Sequence, residues 1–251
     1  GDFTPYVMKS TNRGASWTSI SGNLPQRGTV YSLMEDHENP NLLFAGTEFG
    51  VFFTVDGGKR WVQLKGGIPV IAVRDLDIQR EEDDLVAGTF GRGFYVLDDY
   101  SMLRNMSPAS LEKDGQLFAV KDALAYMQDA PLGLPDKSFQ GDSYYTAPNP
   151  PFGAVFTYYL RDGLKTLKQQ RQAREKKNAG AKYPGWDELR AEDREKKPEV
   201  ILTVKDEAGN IVRTMNGAVG KGFHRVAWDL RYPALNPTNL PPPSDVIPFR
   251  C

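Results

Sequence analysis

Thr54-Val55-Asp56-Gly57-Gly58-Lys59-Arg60-Trp61 is the stretch whose reading decides the fold. It has the form T-x-D-x-G-x-x-W. Near the start, Ser10-Thr11-Asn12-Arg13-Gly14-Ala15-Ser16-Trp17 has the form S-x-N-x-G-x-S-W. The two read as copies of one turn. A hydroxyl and an Asn or Asp side chain bond backbone amides inside a tight bend. Gly supplies the positive φ that the bend needs. The Trp is then expected to return to the core and plug it. On this reading Ser10, Asn12, Gly14, Ser16, Trp17, Thr54, Asp56, Gly58 and Trp61 are structural. Trp61 follows Trp17 by 44 residues. A repeat of about 40–50 residues built of short strands is the signature of a propeller blade.

The surrounding chain fills in the repeat. Residues 30–34, 42–46, 51–54 and 61–64 read as four short strands joined by turns, one complete unit. Residues 73–78, 84–89 and 93–97 repeat the first three strands. Asp99 stands where Asp56 stood, but residues 97–101 have lost the second Gly and the Trp, as a terminal repeat does. The expected fold is all-β. Residues 1–106 are the last blades of a propeller, an incomplete ring. Residues 107–151, rich in Pro, Gly, Asp and Ser towards their end, are a linking or wrapping segment. Residues 152–251 are an Ig-like β-sandwich, with strands at 153–160, 199–204, 211–215 and 223–230 and a charged helical insertion at 161–197. The Pro-rich tail cannot pair as a central strand, so a final strand is expected to be missing.

Composition excludes several classes. A hydrophobic fraction of 40% and a charged fraction of 25% are those of a globular protein. A net charge of −1 gives no field to attract nucleic acid. The basic run at 168–177 is short and followed by acids, which fits a solvated helix. No apolar run reaches the ~18 residues of a membrane span. Cys251 is the single cysteine, and His37 and His224 lack ligand spacing, so no metal and no cofactor are expected. Phosphate-loop, H-E-x-x-H and nucleophile-elbow motifs do not occur.

The two turn motifs resemble those of Asp-box, or BNR-repeat, propellers. Asn12 replaces Asp in the first copy, and Arg60 replaces Thr or Ser in the second. The phrases at 39–47 and 88–93 resemble large bacterial secreted proteins with sortilin/Vps10-like propellers, often labelled "glycosyl hydrolase, BNR repeat". The phrase at 222–231 is similar to the Ig-like domain of flagellar hook-capping proteins. The resemblance implies a secreted or periplasmic location and a chain that is the C-terminal part of a longer protein, whose remaining blades complete the ring.

Propeller topology also sorts the loops. Turns from first to second and third to fourth strand lie on one face of a blade. The opposite face is the usual ligand face, and it carries 47–50 and 89–93. Glu48, Phe49, Phe90 and Arg92 are the candidate ligand residues. Glu48 and Arg92 either meet a ligand or pair with each other across blades; the two rings either stack on a sugar or pack. A glycosidase needs two facing carboxylates. Glu48, Asp75, Asp77, Asp98 and Asp99 are present, but the sequence pairs none of them, so the catalytic residues are unassigned. Three functions follow: a propeller that binds a polypeptide or glycan with the Ig-like domain as docking module, a glycoside hydrolase resembling propeller sialidases and xyloglucanases, or a component of a surface assembly.

Overall fold

The computed structural model describes residues 1–126, 147–178 and 183–233. The fold is all-β, with antiparallel sheets and a few short helices. β1 (Met8–Lys9) pairs with β2 (Thr18–Ser19). β3 (Val30–Glu35), β4 (Leu43–Thr47), β5 (Gly50–Thr54) and β6 (Val62–Gln63) form a four-stranded meander in chain order. β7 (Val73–Gln79), β8 (Asp84–Thr89) and β9 (Phe94–Leu97) form a second meander of three strands.

The first meander is buried on both faces, which is why β4 and β5 read as unbroken apolar runs. Successive side chains point to opposite sides of a strand. Leu43, Ala45 and Phe52 face the β1–β2 pair and share a core with Val7, Leu24 and Trp61. Phe44, Val51 and Phe53 face the second meander, against Leu76, Leu85 and Ala87. The three units therefore stack face to face through two cores.

Both Asp-box turns are closed by their own side chains. Thr54 Oγ1 donates to Asp56 Oδ1 at 2.7 Å and accepts from the Gly58 amide at 3.1 Å. Asp56 Oδ1 accepts from the Lys59 and Arg60 amides, both at 3.0 Å. In the first copy Ser10 Oγ accepts from the Gly14 amide and Asn12 Oδ1 from the Ser16 amide. The two tryptophans differ. Trp61 is 3% exposed; its indole donates to the Ile20 carbonyl at 2.8 Å, and its amide donates to Asn23 Oδ1 at 2.6 Å. Trp17 is 59% exposed, so the expectation that it plugs a core is corrected. Among the described residues no sheet lies beyond the β1–β2 pair to make a core for it.

After β9 come a 3-10 turn (Ser101–Asn105), α1 (Pro108–Glu112) and β10 (Gly115–Leu117). β10 lies within the segment read as a link, and it pairs with β11 (Ala154–Leu160), which pairs in turn with β14 (Gly222–Trp228). β12 (Val200–Lys205) and β13 (Ile211–Gly217) form a hairpin whose turn is closed by Asp206 and Asn210. Tyr158 and Leu160 of one sheet meet Leu202 of the other in a third core. α2 (Leu167–Lys177) and α3 (Trp186–Arg194) stand between β11 and β12, joined by Arg171 and Glu192. Two links fasten the C-terminal sheet to the second meander. Arg225 of β14 donates to the carbonyls of Asp98 and Asp99 at 2.7 and 2.6 Å. Phe118 belongs to the core between the meanders, while its amide donates to the Thr157 carbonyl of β11.

Candidate functional site

The β4–β5 and β8–β9 loops are repeat equivalents and are built alike. Thr47 Oγ1 donates to the Gly50 carbonyl at 2.9 Å, and Thr89 Oγ1 to the Gly93 carbonyl at 2.7 Å. Each loop is tied to the strand entry beside it: the Glu48 amide donates to the Thr29 carbonyl, and the Phe90 amide to the Ala72 carbonyl. These bonds hold the four candidate side chains on one end of the stacked sheets.

Their environments then separate them. Phe90 is 68% exposed; Phe49 is 41% exposed, with one edge of its ring over Gly28. Glu48 is half-buried and Arg92 is exposed. No ion pair joins Glu48 to Arg92 among the described residues. The side chains that do come together include two that sequence reasoning missed. The Arg74 guanidinium lies 4.0 Å from the Tyr31 ring centroid and 5.3 Å from that of Phe90. Tyr31 and Arg74 hold equivalent positions near the starts of β3 and β7, so the repeat sets them on neighbouring sheets. Polar residues at the second position of both strands were the signal available. The result is a ledge of two aromatic rings with a cation between them. A guanidinium over an aromatic face contributes roughly 0.5–1 kcal/mol at an exposed site.

The most strongly held charges lie at the opposite end. Arg104 bonds Asp36 through Nε and Nη2, both at 2.8 Å, and Asp83 through Nη1 at 3.1 Å and Nη2 at 2.6 Å. The Tyr100 hydroxyl donates to Asp36 Oδ1 at 2.8 Å. Burial alone would raise the Asp36 carboxyl, but the bonds from Arg104, Tyr100 and the Asn39 amide hold it well below the usual carboxylate range. Burial and then the bond to Asp36 push the Tyr100 hydroxyl up. Every strong group here is matched by another, and the cluster joins the turns entering β4 and β8 to the segment after β9. It is a clamp within the fold.

A cavity of about 290 Å³ lies by the turn after β9. Glu82, Asp84, Asp98, Lys121, Tyr126 and Phe152 contribute to its walls. Burial, and then the charge of Asp84, raise the Asp98 carboxyl, while Arg225 opposes them. Among the described residues no group of three or more His, Cys, Asp or Glu is arranged to hold a metal ion, and no helix is long and apolar enough to cross a membrane.

No family model and no curated protein matches the chain. A crystal structure of an ancestral GH74 enzyme aligns with 24% identity and a TM-score of 0.31, over 37% of this chain and 11% of that one. The chain thus spans about a tenth of that enzyme's length. A likeness of this extent assigns it neither an activity nor a substrate.

Proposed function

We propose that the chain is part of a propeller protein that binds a polypeptide or a glycan on the end carrying the β4–β5 and β8–β9 loops. The observation that supports this is the Tyr31–Arg74–Phe90 ledge. An exposed ring offers a flat apolar face to a sugar ring or an aromatic side chain. The adjacent guanidinium offers forked donors to a carboxylate, a carbonyl or a ring of hydroxyls. The C-terminal sheets serve as a structural or docking module, and an exported location belongs to the same proposal, on sequence resemblance alone.

The test is a glycan and peptide array probed with the labelled chain, followed by titration of any ligand retained. Phe90→Ala and Arg74→Ala are each expected to weaken that ligand about tenfold, near 1.4 kcal/mol, with unchanged thermal unfolding. Ligand binding untouched by both substitutions would refute the assignment.

A second reading, glycoside hydrolysis, is favoured by one observation. Asp98 and Asp84 line one cavity, with the Asp98 carboxyl raised. Carboxylates whose environments differ can divide acid and base roles. On this reading Asp98→Asn abolishes turnover in a polysaccharide-hydrolysis screen of the intact protein. Turnover that survives Asp98→Asn removes this pair from the chemistry.

A further inference from the structure

A cavity of about 210 Å³ lies between the two meanders, alongside β9. Leu64, Ile68, Leu85, Ala87 and Tyr95 are among its lining residues. Their equivalents one repeat earlier are Ile20, Leu24, Leu43, Ala45 and Phe52. Those five pack in the core that holds Trp61. The cavity is therefore the next copy of the Trp61 socket, without the indole. A buried apolar cavity of about 150 Å³ accommodates benzene, so the space suits a larger ring.

Two further observations agree. A Cβ on Gly22 would lie 2.6 Å from the Lys59 carbonyl oxygen, because the second Asp-box turn nests against it. Gly66 is the repeat equivalent of Gly22, also has positive φ, and a Cβ there would meet nothing within 4 Å among the described residues. The seat for an Asp-box turn is present and open. The strand edge is open as well. In the first meander Leu64 donates its amide to the Val51 carbonyl at 2.8 Å, so the backbone groups of Val51 and Phe53 face β6. Phe94 and Val96 hold those places in β9, which among the described residues pairs with β8 alone. Their side chains are 80% and 53% exposed.

We propose that β9 is a docking edge for an extended polypeptide that carries an Asp-box turn followed by an indole. The strand adds antiparallel to β9, as β6 adds to β5, and bonds the backbone groups of Phe94 and Val96. Its indole enters the socket and donates to the Leu64 carbonyl, as Trp61 donates to that of Ile20. Gly67 replaces Asn23, whose side chain bonds both the amide and the carbonyl of Trp61, so the added strand lacks those two bonds. The indole and the edge carry the binding. The site is distinct from the Tyr31–Arg74–Phe90 ledge and does not depend on it.

The probe is a synthetic peptide with the sequence of residues 54–64 of this chain, Thr-Val-Asp-Gly-Gly-Lys-Arg-Trp-Val-Gln-Leu. It is titrated into the ¹⁵N-labelled chain and compared with the same peptide bearing Ala for Trp. The Trp peptide is expected to bind at least tenfold tighter and to slow amide exchange at Phe94 and Val96. Val96→Pro removes an edge N–H without filling the socket and is expected to abolish that binding. Ala87→Leu narrows the socket and is expected to weaken the Trp peptide towards the Ala peptide. Equal binding of the two peptides, no binding, protection away from β9, or self-association of the chain that the peptide does not displace would each overturn the proposal.

Discussion

Arg104→Ala is expected to lower the stability of the chain by about 3–5 kcal/mol, the usual cost of removing one partner from a buried ion pair. The loss falls on Asp36 and Asp83 together, because one guanidinium is forked onto both. Asp36 is fully buried and would keep Tyr100, backbone amides and, at 3.7 Å, His37 Nδ1 as partners. Glu38 touches the same guanidinium from a largely exposed position, so Glu38→Gln is expected to cost under about 1 kcal/mol. Urea denaturation of both variants measures the contrast, and equal costs would show that the clamp is not what joins these turns. The clamp also has a pH signature. The folded pKa of Asp36 lies below its unfolded value of about 3.9. A depressed carboxyl contributes stability that is present above the unfolded pKa and lost as pH falls through the folded one. The native chain should therefore lose stability below about pH 4, and this acid limb should be shallower in Arg104→Ala.

Trp61→Ala is expected to cost about 3–5 kcal/mol, whereas Trp17→Ala should stay within about 0.5 kcal/mol of the native chain. The two residues close the same motif 44 positions apart. The two bonds of Asn23 run to the backbone of residue 61 and survive, but removing the Trp61 indole leaves a cavity and strands the Ile20 carbonyl. Trp17 is mostly in solvent and leaves neither. Thermal unfolding of the two variants side by side is sufficient. Similar losses would mean that Trp17 has a partner surface that its exposure does not reveal.

The difference between these residues shows what was legible in the sequence. The motif fixed the turn, because its hydrogen bonds run between residues four or fewer apart. It did not fix the fate of the Trp, which depends on whether another sheet lies beyond. The meanders β3–β6 and β7–β9 were legible because apolar runs alternate with turn residues at a constant period. β10 was not, since Gly-Gln-Leu carries no alternation and is defined by its neighbour β11. The clamp was equally hidden. Tyr100 and Arg104 lie 64 and 68 positions from Asp36, and no local pattern signals so distant a bond. Of the candidate site, loop position identified Phe90, while Tyr31 and Arg74 required neighbouring sheets to be set side by side.

Phe118 has a consequence for how the chain comes apart. Its ring is buried with the meanders, its amide is bonded to β11, and it stacks near Phe223 of β14 at 5.9 Å. One residue is thus packed in the meander core by its ring and bonded to the C-terminal sheet by its backbone. Opening the C-terminal sheet withdraws a wall from the other core, and loosening the meanders releases β10 from its partner. The two regions are therefore expected to melt as a single cooperative unit, and a ligand that grips either end is expected to raise the unfolding temperature of both.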